Sequence, residues 1–200
     1  MTPFSFKTLA LAAVLPVAAL AAPVAAADHG GKATTAATMA PYAPITVAEV
    51  EAAQQAWGKA LVAISTEYDT KGHAAAKKLA ETVLDSAYGY GMGPVLFKPT
   101  LASGPQTFRT TRDGALAYFV GGNSAFAGDT GFALKSWRNV EVSNAGILIK
   151  GNSATSMGNV TFTDAKGNRT TVDKTWGYVR GADGNLRIVL HHSSLPFKAG

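Results

Sequence analysis

Large apolar residues enter the chain at Ile45 and then return at helical spacing. Val47, Val50, Trp57, Leu61, Ile64 and Tyr68 recur along one stripe, with Gln54 its one polar member. A period of about 3.6 residues puts these side chains on one face, so the pattern predicts an amphipathic helix over residues 47–68. Thr46 and Glu49 form an S/T-x-x-E capping box at its start, and Ile45 with Val50 suits a hydrophobic staple. Trp57 reads as a core anchor of that face. Asp69-Thr70-Lys71-Gly72 interrupts the pattern. Ala76, Leu79, Ala80, Val83, Leu84 and Ala87 then predict a second helix over 73–88, with Gly89 as its C′ residue.

The loop 88–94 carries glycines at alternate positions, but it follows a helix and precedes a strand, the reverse of a phosphate-cradling fingerprint. It reads instead as a loop folded closely over a neighbour. A strand is predicted over 95–98, ending at Pro99-Thr100. Thr110 or Thr111 caps a short helix through Ala115, Leu116, Phe119 and Val120, which Gly121-Gly122 stops. Residues 137–143, 145–150, 153–163, 169–180 and 185–194 then read as successive strands, separated by Asn144 with Gly146, by Gly151-Asn152 and by two longer Asp/Gly/Asn turns. Short separators imply antiparallel pairing. The order predicts an α+β domain whose helices pack on one face of a strongly bent, mainly antiparallel sheet, leaving a cone-shaped cavity open at one end.

Composition changes the picture mainly at the N-terminus. Residues 28–44 hold Ala, Thr, Gly and Pro with hardly a large apolar side chain, so they read as a flexible linker that cannot offset its ordering entropy. Ahead of them, Lys7, an apolar run broken by Pro16 and Ala25-Ala26-Ala27 read as a secretory signal peptide over 1–27, cleaved to leave Asp28 first. The apolar run is too short and too broken to span a membrane. The expectation is a periplasmic or secreted protein with one folded domain over 45–200. The absence of cysteine removes thiol catalysis, Cys-ligated zinc and disulfides together. The net charge is +5 at pH 7, one less once Lys7 leaves, and the basic residues are scattered. Nucleic acid demands a clustered footprint, so no nucleic-acid partner is expected, only a mild pull on small anions.

Candidate chemistry concentrates where His191-His192-Ser193-Ser194 close the last apolar run. Alternation assigns Val189, His191 and Ser193 to one face and Ile188, Leu190, His192 and Ser194 to the other. The two histidines then point apart and cannot chelate one ion without a bulge. Zinc needs three or four ligands, whereas His29 lies in the linker and His73 at an exposed helix start. A Ser-His-Asp triad fails on the same alternation, and the chain has no G-x-S-x-G elbow. What remains is a non-covalent polar pocket in which His191 and Ser193 project together to orient a water and a small planar anion. These residues equally suit capping the sheet end, and composition leaves both readings open.

Three stretches carry a resemblance: Y-G-Y-G-M-G-P-V-L-F-K-P-T (88–100), A-L-A-Y-F-V-G-G (115–122) and H-H-S-S-L-P (191–196). Over about 45–197 the chain resembles the nuclear-transport-factor-2-like (NTF2-like) fold, in the branch of the calcium/calmodulin-dependent kinase II association domain. Within that branch it looks like the iota-class carbonic anhydrases, whose hallmark is H-H-S-S. The resemblance implies an NTF2-like cone that hydrates CO2 reversibly to bicarbonate, a carbonate dehydratase. It implies no cofactor in the metal-free description of the family, and zinc in the metal-dependent one. Thr100, Tyr118 and Ser193 match the family's substrate-surrounding residues, and His191 joins them from the face of Ser193. His192 and Ser194 belong to the motif as substrate-binding candidates, although alternation places them opposite. CO2 and bicarbonate are the implied partners, and a sheet face wider than its helices cover predicts a homodimer. Fold analogy alone is weak evidence of function. Two other classes stay open: a non-catalytic NTF2-like binding or assembly module, and a ketosteroid-isomerase-like enzyme, which needs a pocket carboxylate such as Asp113 or Asp129.

Overall fold

The computed structural model describes residues 43–198; the signal peptide expected over 1–27 and residues 28–42 of the expected linker lie outside the described residues. Helix α1 spans Val47–Lys71, and its capping box forms. Thr46 Oγ1 accepts from the Glu49 N–H at 3.2 Å, while the Glu49 carboxylate accepts from the Thr46 N–H at 2.8 Å. Gly72, at φ 83°, turns the chain into α2, His73–Ala87. Gln54 is buried within the apolar stripe because its amide exchanges hydrogen bonds with Asn144 and donates to Ser156. After β1 (Leu96–Lys98) comes α3 (Arg112–Val120), whose N-cap is Thr111. Four strands complete the fold: β2 (Trp137–Lys150), β3 (Ser153–Asp164), β4 (Arg169–Arg180) and β5 (Leu186–Ser194). Helix α1 packs on β2, and α2 packs on α1 and α3.

The strands lie in the order β1-β5-β4-β3-β2, antiparallel except for β1, which runs parallel to β5. Residues 137–150 form one strand where two were expected. Asn144 faces Gly158 and Gly146 faces Met157, so the intervening Ala145 is a bulge rather than a turn. A second bulge leaves Val189 unpaired between the Tyr178↔Ile188 and Gly177↔Leu190 pairs. It resets the alternation, so that Ile188, 3 % exposed, faces inward with His191 instead of outward with Leu190.

The expected strong bend of the sheet is not present. From Ser153↔Val179 to Thr163↔Arg169 the central strands pair without a register shift, so they lack the bulges with which a sheet turns a corner. The bulges sit in β2 and β5 instead. Among the described residues no cone opens in the lap of a curled sheet, and the inner space is closed by aromatic side chains from α1, β1 and α3.

Gly158 accommodates the β2 bulge, because a Cβ at this position would overlap the Ser143 carbonyl oxygen. Gly158→Ala should therefore cost about 1–3 kcal/mol, the usual cost of overpacking, read as a lower urea midpoint. An unchanged midpoint would mean that the bulge yields freely.

Candidate active site

Strand β5 brings His191 and Ser193 to the helix-covered face, each 2 % exposed. His192 lies exposed on the opposite face, with half-buried Ser194 beside it. Thr100, just beyond β1, reaches Ser193 with 2.6 Å between the two hydroxyl oxygens. Helix α3 places Tyr118 in the same pocket, walled by Trp57, Phe97, Phe119 and Phe132 and floored by Lys174. The pocket is small and largely enclosed by these side chains. A groove of about 590 Å³ between α1, α2 and the β4–β5 turn is far larger, but it shares only Trp57 with the pocket. The sequence-predicted hydroxyls gather in the smaller space.

Burial raises the Tyr118 phenol pKa, and groups of Leu101 and Thr100 only partly counter the rise. None closes a hydrogen bond of good geometry, and the buried oxygen is left without a partner. Tyr118 thus remains a phenol and can donate. The His191 ring stacks on Phe97 at 4.4 Å and on Tyr88 at 5.9 Å, with the Trp57 edge 5.5 Å away. Its Nδ1 lies 2.8 Å from the Tyr88 hydroxyl, which accepts from the Trp57 indole N–H at 2.9 Å. Its Nε2 lies 2.5 Å from Lys174 Nζ. Both ring nitrogens are thus engaged by protein groups, and neither bonds the Thr100–Ser193 pair. Burial first, then the charge of Lys174 and the nearby His192, hold His191 well below the usual imidazole range.

Lys174, on β4, is 4 % exposed, and burial lowers its amine to about 7. Its Nζ lies 4.8 Å from the Trp57 ring centre and 5.3 Å from that of Trp176. Sequence reasoning passed over both Lys174 and Tyr88. The signal for Lys174 was present, since Val172, Lys174, Trp176 and Tyr178 alternate along β4 as one buried stripe with a lysine in it. Tyr88 gave no such signal, because its partners come from α1 and β5. His73, expected at an exposed helix start, uses Nε2 to bond the Val120 carbonyl at 2.7 Å and so closes the end of α3.

Neither candidate carboxylate lines the pocket. Asp113 is exposed in the first turn of α3. Asp129 pairs with buried Arg109 through two bonds of 2.6 and 3.0 Å. Among the described residues, no three His, Cys, Asp or Glu side chains gather as a metal-holding group. Among the same residues, no helix is long and apolar enough to cross a membrane.

Helices on one face of a mixed sheet, with a buried polar pocket between the layers, define an NTF2-like α+β protein. A structure described as a calcium/calmodulin-dependent protein kinase II association domain, from Xanthomonas campestris, shares that fold alone: TM-score 0.51 at 22 % identity, covering 80 % of this chain and 99 % of that one. A family model for the metal-independent carbonic anhydrases matches residues 48–195. The metal-independent carbonic anhydrase of Nostoc sp. (strain PCC 7120) is 59 % identical over 192 residues, 94 % of each chain. The crystal structure of a cyanobacterial iota-carbonic anhydrase complexed with bicarbonate superposes with a TM-score of 0.77 at 65 % identity, covering 78 % of this chain and 95 % of that one. The chain belongs to the iota-class, metal-independent carbonic anhydrase family, enzymes that hydrate CO2.

Removing the acid of the Arg109–Asp129 pair strands a guanidinium that is 4 % exposed. Asp129→Asn should cost about 3–5 kcal/mol of stability, measured by denaturant unfolding, while CO2 hydration well below the transition stays near wild type. Normal stability with lost activity would instead assign Asp129 to the chemistry.

Proposed function

We propose that Thr100, Tyr118 and Ser193 hold the oxygens of CO2 and of the bicarbonate formed from it, in a pocket that works without a protein-bound metal. The observation that carries this is the 2.6 Å Thr100–Ser193 hydroxyl pair, set in one small pocket with the unpartnered Tyr118 hydroxyl. Two hydroxyls that share one hydrogen bond leave one proton free to donate, and Tyr118 supplies a second. As water adds to carbon, negative charge builds on the CO2 oxygens, and fixed donors in a dry site stabilise it most where it develops. The bicarbonate complex of the 65 % identical relative supports this substrate. In this reading His191 is a positioning residue, held by Tyr88 and Lys174, while His192 and Ser194 lie on the face away from the substrate.

Zinc lowers the pKa of bound water to about 7, far below that of bulk water; without it, water activation rests on a protein base, so turnover is modest and rises with pH. Protein freed of metal by chelation and checked by elemental analysis should keep its CO2 hydration. Activity that returns only with added zinc would favour the metal-dependent reading. In the same assay, Ser193→Ala and Tyr118→Phe should each lose about 10²–10³-fold in kcat/KM. Wild-type rates in both would favour the assembly-module reading.

We also propose that the chain is exported, loses residues 1–27 and pairs as a homodimer through the outer face of the sheet. The sequence of the first 27 residues supports export. On the outer face, Leu96, Leu148 and Met157 are 60 %, 67 % and 61 % exposed, more apolar surface than a lone sheet face usually shows to water. N-terminal sequencing of the secreted protein should begin at Asp28, and sedimentation should give twice the chain mass. An intact N-terminus or a monomer would overturn the corresponding proposal.

A further inference from the structure

The hydroxyls of the pocket account for the substrate oxygens but not for the proton that water must lose. Tyr118 keeps its own proton, because burial raises its pKa. His191 has no nitrogen free. The remaining polar group of the pocket is Lys174.

A count of protons along the buried chain defines the state of that amine. The Trp57 indole N–H can only donate, so the Tyr88 oxygen accepts from it. Burial keeps Tyr88 protonated, and its one proton goes to its other partner, His191 Nδ1. A neutral imidazole with an accepting Nδ1 carries its proton on Nε2, which therefore donates to Lys174 Nζ. An ammonium has no lone pair to accept with, so in this tautomer, the one that uses the Tyr88 proton, Lys174 is the neutral amine.

The surroundings support the same conclusion. Lys174 makes no salt bridge among the described residues. The titratable groups on its side are His191 on β5, Tyr118 on α3 and, behind His191, Tyr88. Asp173, bonded by Asn159, and His192 sit on the opposite face of the sheet, and Lys98 from β1 bonds the Ser193 carbonyl. The Trp57 and Trp176 rings lie within cation–π reach, so the amine can carry a proton transiently. Once charged, it faces the His191 Nε2–H across the same short contact, which favours passing the proton on.

We propose that Lys174 is the proton acceptor of CO2 hydration, resting on the substrate pocket proposed above. The water oxygen bonds to carbon, one C=O electron pair moves onto the oxygen held by the hydroxyls, and the water proton goes to the single lone pair of Nζ, which gives up its hydrogen bond from the His191 Nε2–H to receive it. Water, CO2 and the neutral amine become bicarbonate and an ammonium, which releases its proton to solvent before the next turnover. Dehydration runs the same step backwards and needs the ammonium.

The test is the pH profile of both directions for the full chain, Lys174→Met and Ser193→Ala. The folded pKa lies near 7 instead of 10.5, so the neutral amine prevails above about 7. Wild-type kcat for hydration should climb through that pH and level off, and kcat for dehydration should fall through it. Lys174→Met should lose about 10²–10⁴-fold in hydration kcat, with a smaller change in KM and no step near pH 7. A Lys174→Met enzyme with the wild-type rate and step, alongside an inactive Ser193→Ala, would overturn the role of Lys174 and leave the pocket standing. Full activity in Ser193→Ala would overturn the pocket itself. NMR of ¹³Cε-labelled lysine in the wild type reads the amine without any substitution at Lys174. A lysine that titrates near 7, and whose midpoint moves in Tyr88→Phe, is expected; all lysines titrating near 10.5 would overturn the proposal.

Discussion

A lysine amine buried without a carboxylate is the constraint around which the inner face of this protein is arranged. A charged ammonium in such a place is costly, and an unsatisfied amine is costly too. The structure meets the first cost by lowering the pKa and the second by setting His191 against the nitrogen. His191 must then be held in turn, which Tyr88 and Trp57 accomplish. Four segments are committed by this one requirement: α1, the end of α2, β4 and β5. The Tyr88–Ile188 bridge and the bond from the Gly89 N–H to the Ile188 carbonyl tie the end of α2 to β5 and keep Tyr88 beside the imidazole. The loop after α2 is thus a structural clamp, consistent with its close passage over a neighbour.

The proposed substrate side follows from a second constraint, the size of the space. Because the sheet does not curl, Phe97, Phe119, Phe132 and Trp57 set the pocket walls rather than the backbone. An apolar wall suits an uncharged linear molecule of three heavy atoms, and the few hydroxyls suit the anion it becomes. One strand supplies both functions. Ser193 of β5 meets Thr100, and His191 of β5 meets Lys174 of β4, so the hydroxyl and amine halves keep a spacing defined by the two-residue repeat of a strand.

Much of this was legible from residues alone, and particular residues show why. Helix α1 announces itself because its apolar residues are periodic, with Gln54 the one polar member whose partners come from β2 and β3. The capping box at Thr46 and the cap at Thr111 are local interactions spanning three residues, so they form as read. The inward pairing of His191 with Ser193 followed from strand alternation over an unbulged stretch. The same rule failed three residues earlier, where the bulge at Val189 turned Ile188 inward. It failed again at Ala145, where a bulge looked like a turn. A bulge depends on what the neighbouring strand can accept, here Gly158 opposite Asn144, and that information is not local.

The sequence by itself determined the helices, the order of the elements, the α+β class, and the histidine–serine motif that ends the last strand. Each of these depends on short-range periodicity, capping or composition. Tertiary structure decided how far the sheet bends, which face Ile188 takes, what stands around His191 and that Lys174 is buried beside it. Those outcomes depend on strands and helices far apart in the chain meeting in one register. The electrostatic state of an amine is set by the water and partners that such a meeting removes or supplies. A lysine in an alternating stripe is one letter in the sequence; only the packed sheet, by stripping its water and turning an imidazole toward it, makes it a group that titrates near neutrality.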